Sequence, residues 1–277
     1  MSTWLITGSS SGLGRDLARA VLDAGHNAVL GARNPSSVKD LADAHPDTAL
    51  AVALDVTDHA QVAGAVQAGE KRFGGVDVLV NNAGYGYRAA VEEGDDADVA
   101  TLFATNFFGP VALIKAVLPG MRARRHGAIV NISSIGARIS PAGSGYYSAS
   151  KSALEGMSGS LRKELAPLGI SVTVVEPGAF RTDFAGRSLQ QSATVIADYA
   201  ETAGKRRKEV DTAHGTQPGD PARAAAAIIT AVEDDEPPAL LLLGTDALKA
   251  IRGVVNAQLA ELKGWENTSL GTDLRNS

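Results

Sequence analysis

The 277-residue chain has no cysteine. That absence excludes a disulfide framework, a thiolate metal site and a cysteine nucleophile. Histidine is sparse: His26, His45, His59, His126 and His214 show no ligand spacing, and no metal site is expected. Basic charge is not in excess. Twenty-six Lys and Arg against 31 Asp and Glu leave a net charge of −5, which argues against general nucleic-acid binding. Apolar runs are short, and one such as Ala239–Leu243 is far too short to span a bilayer. No signal-peptide pattern precedes the first strand-like segment, so the expected address is the cytoplasm, with no membrane partner. Internal repeats and low-complexity tracts are missing as well.

Glycine, by contrast, is plentiful. Thirty residues, about 11% of the chain against a usual ~7%, point to many tight turns. With 44% hydrophobic and 21% charged residues, the composition is globular and the length allows a sizeable core. Trp4–Thr7 reads as a strand and Leu13–Ala24 as a helix stopped at Gly25. Further strands are predicted at Asn27–Ala32, Ala49–Asp55, Val76–Asn81, Ala128–Ser133, Ser171–Glu176 and Leu240–Leu243. Helices are predicted over Ser36–Ala44, from Thr57 or Asp58 to Phe73, and over Pro221–Val232. Strands this apolar, without clean alternation, are buried on both faces, as in parallel sheets. The strand–helix–strand repetition predicts a doubly wound α/β Rossmann fold: a single parallel sheet of about seven strands with helices on both faces. The polar stretch 185–220 interrupts the pattern after the sixth strand, and is expected to form a lid within one domain spanning 1–277.

The turn after the first strand reads Thr7-Gly8-Ser9-Ser10-Ser11-Gly12-Leu13-Gly14. Glycines at 8, 12 and 14 remove side chains where backbone must approach a pyrophosphate and where helix must pack on strand. The phosphates would lie on the positive N-terminus of the following helix. The spacing is not the commoner G-x-G-x-x-G, but the strand before and the helix after supply the context that a dinucleotide cradle needs. Gly8, Ser10, Ser11, Gly12, Leu13 and Gly14 are the candidate cradle.

Asn81-Asn82-Ala83-Gly84 closes the fourth strand, and Tyr147-Ser-Ala-Ser-Lys151 follows the fifth. Together with the glycine turn, these motifs resemble the short-chain dehydrogenase/reductase family, from Thr3 to about Thr182. The resemblance implies nicotinamide-cofactor contacts from Asn82, Ala83, Gly84, Tyr147 and Lys151. It adds Asp55 and Val56 at the adenine ring, and Pro177, Gly178 and Thr182 at the carboxamide.

Tyr147 and Lys151 share a helix face, a spacing common on any helix surface. A phenol titrates near pH 10, and bringing it near 7 takes about 4 kcal/mol, which an ammonium one turn away and an oxidised nicotinamide would help supply. Ser134 ends the fifth strand, where open α/β sheets place ligands. It precedes Tyr147 by 13 residues, the family's separation for its catalytic serine, and that match selects Ser134 over Ser133 and Tyr147 over Tyr146. Asn106, in Ala104-Thr-Asn-Phe-Phe-Gly109, resembles the family's asparagine on a kinked helix, with Gly109-Pro110 as the cause of the kink.

These residues imply hydride transfer between a nicotinamide cofactor and a ketone, aldehyde or secondary alcohol. The second strand ends Gly31-Ala32-Arg33, with no acid for a ribose 2′-hydroxyl and an arginine suited to a 2′-phosphate. NADP(H) is therefore favoured, with NAD(H) the alternative, although the second basic residue of some NADP-type relatives is replaced by Ser11. Candidate pocket walls are Tyr85, Tyr87, Ile135–Ala137, Phe180, Phe184 and Leu189, an apolar set. A reductase of carrier-bound 3-oxoacyl chains would need Lys205–Lys208 or Arg122–Arg125 at the cleft mouth. A catalytically silent NADP(H) redox sensor would need none of the four catalytic residue types. Lys205–Lys208 otherwise reads as a solvated face. The resemblance also implies a homodimer or homotetramer, and the amphipathic Val254–Leu262 suits either a partner subunit or its own sheet.

Overall fold

In the computed structural model, the described residues are 1–182, 184, 188–213 and 216–274; Ala185–Arg187, His214 and Gly215 of the expected lid lie outside them. The chain runs β1 (Thr3–Thr7), α1 (Gly12–Asp23), β2 (Asn27–Ala32), α2 (Lys39–Ala44), β3 (Ala49–Ala53), α3 (His59–Phe73) and β4 (Val78–Asn81). It continues through β5 (Gly86–Arg88), α4 (Asp96–Phe103), a π-helical turn (Ala104–Phe108), α5 (Gly109–Arg124), β6 (Gly127–Ile132), α6 (Gly136–Ile139) and α7 (Gly145–Leu165). β7 (Ile170–Pro177), β8 (Leu189–Gln191), α8 (Ala203–Ala213), α9 (Pro221–Glu233), β9 (Leu240–Leu243) and α10 (Thr245–Leu270) complete it.

Seven strands form one parallel sheet in the order β3-β2-β1-β4-β6-β7-β9. Alternate side chains of each strand go to opposite faces. Trp4 and Ile6 of β1 join α1 and α9 in one apolar cluster, and Leu5 joins α3, α5 and α7 in the other. Burial on both faces is why the strands read as continuous apolar runs. On the α7 side the rows of Leu79 and Ile129 end in polar residues. The Asn81 amide donates to Asn131 Oδ1 at 2.8 Å, and Asn131 donates to Ser158 Oγ at 2.8 Å. Asn81 and Asn131 are direct register partners across β4 and β6.

Local signals set the helix ends. Gly25, just past α1, has φ +83°. Of the two residues expected to start α3, Asp58 is the cap, its carboxylate accepting the Ala60 and Gln61 amides. The Ser36–Ala44 helix divides into a 3-10 turn, Pro35–Val38, followed by α2. One helical run, Asp96–Arg124, is long and apolar enough to cross a membrane by length and composition. Here Leu113, Ile114, Val117 and Met121 of that run are buried in the sheet core.

Two strands were not expected. β5 and β8 pair in parallel as a separate small sheet, and the polar β7–α9 connection also carries the helix α8. Arg207 of α8 is tied to the buried Glu93 at 2.7 Å. The basic run is therefore not one solvated face: Lys205 pairs with Glu201 at the surface, while Arg207 is drawn inward.

Candidate active site

A cavity of about 710 Å³ opens at the carboxyl ends of β1, β4, β6 and β7, the ligand-binding edge of an open parallel sheet. Gly8, Ser10, Ser11, Gly12 and Leu13 line it. Gly8 and Gly12 have φ of +70° and +55°, a region that disfavours side chains. Ser11 caps α1 without closing its hydroxyl on the first-turn amides, which leaves those N–H groups for an anion. Gly14 stands behind the cavity wall and serves packing. Asn82 builds the cradle: its amide donates to the Thr7 and Gly8 carbonyls at 2.9 and 3.3 Å. Thr7 Oγ1 in turn accepts the Asn82 and Ala83 backbone amides, both at 2.9 Å. The glycine turn and the Asn82–Gly84 motif thus form one hydrogen-bonded unit.

Arg33, Asp55 and Val56 line one end of this cavity, and Pro177, Gly178 and Thr182 the other wall. Thr182 reaches the glycine turn, 3.3 Å from where a Cβ on Gly12 would stand. A Cβ on Gly178 would fall 2.3 Å from Asp246 Oδ1, whose carboxylate also accepts the Ala179 amide at 2.7 Å. The open cradle and the helix amides left uncapped by Ser11 fit a nicotinamide dinucleotide.

Tyr147, Ser134 and Lys151 face the same cavity. The Ser134 hydroxyl lies on the Tyr147 side of the cavity, where it favours the ionised phenol, and accepts the Gly136 amide at 3.0 Å. Lys151 Nζ donates to the Ile132 carbonyl at 2.8 Å. Asn106 is fully buried outside the cavity wall. Its Oδ1 accepts the Tyr85 amide at 3.0 Å, and its Nδ2 donates to the Tyr85 carbonyl at 2.9 Å and Ser150 Oγ at 3.1 Å. A Cβ on Gly84 would lie 3.0 Å from Asn106 Oδ1 and 3.4 Å from Lys151 Nζ, so Gly84 separates the two. The expected kink is a π turn centred on Asn106 rather than a break at Gly109-Pro110. Pro110 contributes all the same, because it has no N–H for the Asn106 carbonyl four residues back.

The electrostatics differ from the expectation at one point. Burial pushes the Tyr147 phenol above its ordinary value, and what opposes this is the Ser134 hydroxyl and the charge of Arg88, not Lys151. Burial pushes Lys151 down to about 8, against the charge of Glu155 one turn on. Arg88 on β5 lines the cavity and bonds Ser144 Oγ. Glu155 accepts the Ser133 hydroxyl at 2.5 Å. Near it Glu176 is fully buried, with Arg138 at 3.5 Å; burial and the neighbouring Glu155 charge push its carboxyl up. Arg88, Glu155 and Glu176 were missed from the sequence; the four-residue step from Lys151 to Glu155 was the available signal.

Tyr85, Ile135, Gly136, Phe180, Phe184 and Leu189 are cavity walls as expected. The Phe184 ring tilts over Tyr147 with centroids 6.1 Å apart. Tyr87 and Ala137 are not walls. Tyr87 is buried against α4, donating to Asp98 at 3.1 Å, and Ala137 is buried in α6. Of the basic clusters, Arg206 reaches the cavity. Arg124 and Arg125 bind the Val76 and Pro167 carbonyls, at the opposite end of the sheet. Among the described residues no cluster of metal-ligating side chains occurs.

A dinucleotide cradle joined to a Ser–Tyr–Lys cluster at the carboxyl edge of a parallel sheet defines an NAD(P)-dependent oxidoreductase. The family model described as short chain dehydrogenase matches residues 2–193, and the chain belongs to that family. Oxidoreductase BOA17 of Botryotinia fuckeliana is 38% identical over 270 residues, 97% of this chain and 98% of the relative. The 3-ketodihydrosphingosine reductase of Bacteroides thetaiotaomicron is 40% identical over 199 residues, 72% of this chain and 71% of that protein. Among solved structures, a short-chain dehydrogenase from Streptomyces avermitilis superposes with a TM-score of 0.92 at 44% identity, covering 99% of this chain and 100% of its own.

Proposed function

We propose that the protein moves hydride between NADP(H) and the carbonyl carbon of a hydrophobic ketone or aldehyde, reversibly with the secondary alcohol. The observation that carries this reading is that Ser134, Tyr147 and Lys151 line the same cavity that the glycine cradle opens into. The nicotinamide supplies the hydride. Ser134 donates to the substrate oxygen and orients it, and Tyr147 delivers the proton to that oxygen. Lys151 holds the nicotinamide ribose, Arg88 keeps positive charge near the phenol, and Asn106 anchors the proton relay through the π turn. Arg33 receives the 2′-phosphate. Tyr85, Ile135, Phe180, Phe184 and Leu189 favour an apolar substrate, in keeping with a relative named as a ketone reductase. The β7–α9 connection serves as a lid. The same reading takes the protein as a cytoplasmic homo-oligomer.

The test is oxidation of NADPH and of NADH over a panel of aromatic, alicyclic and long-chain ketones and aldehydes. Tyr147→Phe is expected to bind NADPH normally and to lose at least about 100-fold in kcat. Tight NADPH binding with no turnover across the panel would favour a redox sensor instead.

A further inference from the structure

The first two turns of α10 are anchored, with Ala247 and Ile251 buried. From Arg252 to Leu270 every residue except Val254 is exposed. That is about 28 Å of helix at 1.5 Å per residue, with almost no packing from its own chain. Isolated helices of this length are marginal in water. Gly253 and Gly264, with nothing around the positions of their missing side chains, weaken this one further. A helix of this kind needs an apolar face buried elsewhere.

Such a face is present. Leu248, Val255, Leu259 and Leu262 recur on one side at helical spacing, with Trp265 and Leu270 flanking them; Leu262 is 68% and Trp265 63% exposed. The charges are ordered as well, with Lys249 and Arg252 in the first half and Glu266 near the far end. Laid antiparallel on a second copy, with the two-fold axis at Leu259, the helix matches itself. Leu248 meets Leu270 and Arg252 meets Glu266, each pair occurring twice, and Leu259 meets its own counterpart on the axis; Val255 and Val254 face positions 263 and 264, one residue from Leu262 and Trp265. A parallel arrangement would instead set Arg252 beside Arg252 and Glu266 beside Glu266. Arg252 and Lys263 balance Glu261 and Glu266 along the exposed length, so the helix has no basic face of the sort that binds anionic lipid.

We propose that α10 is an isologous dimerisation helix, pairing antiparallel with α10 of a second copy of this chain. The proposal gives a surface to the homo-oligomer of the reading above. Its failure leaves the catalytic reading intact, since turnover of the same variants is measured separately. In sedimentation, Leu262→Glu is expected to weaken the association at least about 30-fold, halving the mass at micromolar protein. Arg252→Glu and Glu266→Arg should each weaken it, and the double reversal should restore it.

The absence of native cysteine permits a test of direction. Leu259→Cys should form a covalent dimer on oxidation. Ser269→Cys should not, because antiparallel packing holds the two copies of that position about 30 Å apart. The proposal is overturned by a wild-type monomer at these concentrations, by a Leu262→Glu protein of unchanged mass, or by cross-linking at Ser269→Cys but not at Leu259→Cys. A monomer that binds anionic vesicles would assign the face to a membrane instead.

Discussion

At Gly14 an added methyl group would sit 2.3 Å from the Asn82 amide nitrogen and 2.5 Å from the Gly8 carbonyl oxygen. Both belong to the unit that shapes the cradle. Gly14→Ala is expected to raise the dissociation constant for NADPH at least about tenfold, a loss of ~1.4 kcal/mol, in a fluorescence titration. At Arg33 the effect should be selective: Arg33→Asp should raise KM for NADPH at least about tenfold and leave NADH little changed, because only the phosphorylated ribose needs the guanidinium. Lys151 carries a pH dependence. Its folded value of about 8 lies below the ordinary 10.5, so the ammonium is lost as pH rises through about 8. The unfolded chain then binds more protons than the folded one between pH 8 and 10.5, and stability gains with pH in that window. The kcat/KM of the free enzyme is expected to fall above pH 8. Lys151→Arg, whose charge persists, should flatten that limb even at a lower overall rate.

Glu93 and Arg207 fasten one element to another. The Glu93 carboxylate accepts the Ala90 amide at 2.8 Å and the Ile196 amide at 2.9 Å, and pairs with Arg207. Burial raises its value, but the Arg207 hydrogen bond and these amides outweigh burial and hold it below the ordinary 4.5. The stabilisation is therefore present above pH 4.5 and is lost as pH falls through the depressed value. Removing one partner of a buried pair costs about 3–5 kcal/mol. Glu93→Gln should accordingly loosen the β7–α9 connection and speed limited proteolysis within 188–213. The same connection marks the limit of what the sequence reveals. The seven sheet strands were legible because burial on both faces leaves unbroken apolar runs, and Ser134, Tyr147 and Lys151 because their residue types and separations resemble the family's motif. β5 and β8 are three residues each, too short for any periodicity, and they find each other across a hundred residues. Asn106 could be found by its motif, but not its π turn. Glu176 and Arg88 reach the site only through sheet order and the β5–β8 pairing, which no local pattern encodes.

For the molecule as a whole, the cavity draws on both halves of the sheet, with β1 and β4 supplying the cradle and β6 and β7 the catalytic wall. A dinucleotide bound there ties the two together and stabilises the folded state by mass action, about 2.7 kcal/mol at a hundredfold excess over Kd. For a chain near this size that corresponds to a Tm rise of roughly 5–10 °C. In thermal melts at equal concentration, NADPH is expected to raise Tm more than NADH does. The line from Asn81 through Asn131 to Ser158 has a further meaning during assembly. β4 and β6 are otherwise close to interchangeable apolar ribbons that could pair in several alignments. A slip of one residue turns every side chain to the other face, breaking the Asn81–Asn131 bond and stranding the freed polar groups in hydrocarbon at about 1–3 kcal/mol each. These three polar residues therefore act as a proofreading mark at the sheet's centre: misaligned sheets carry a penalty that the aliphatic residues could not impose.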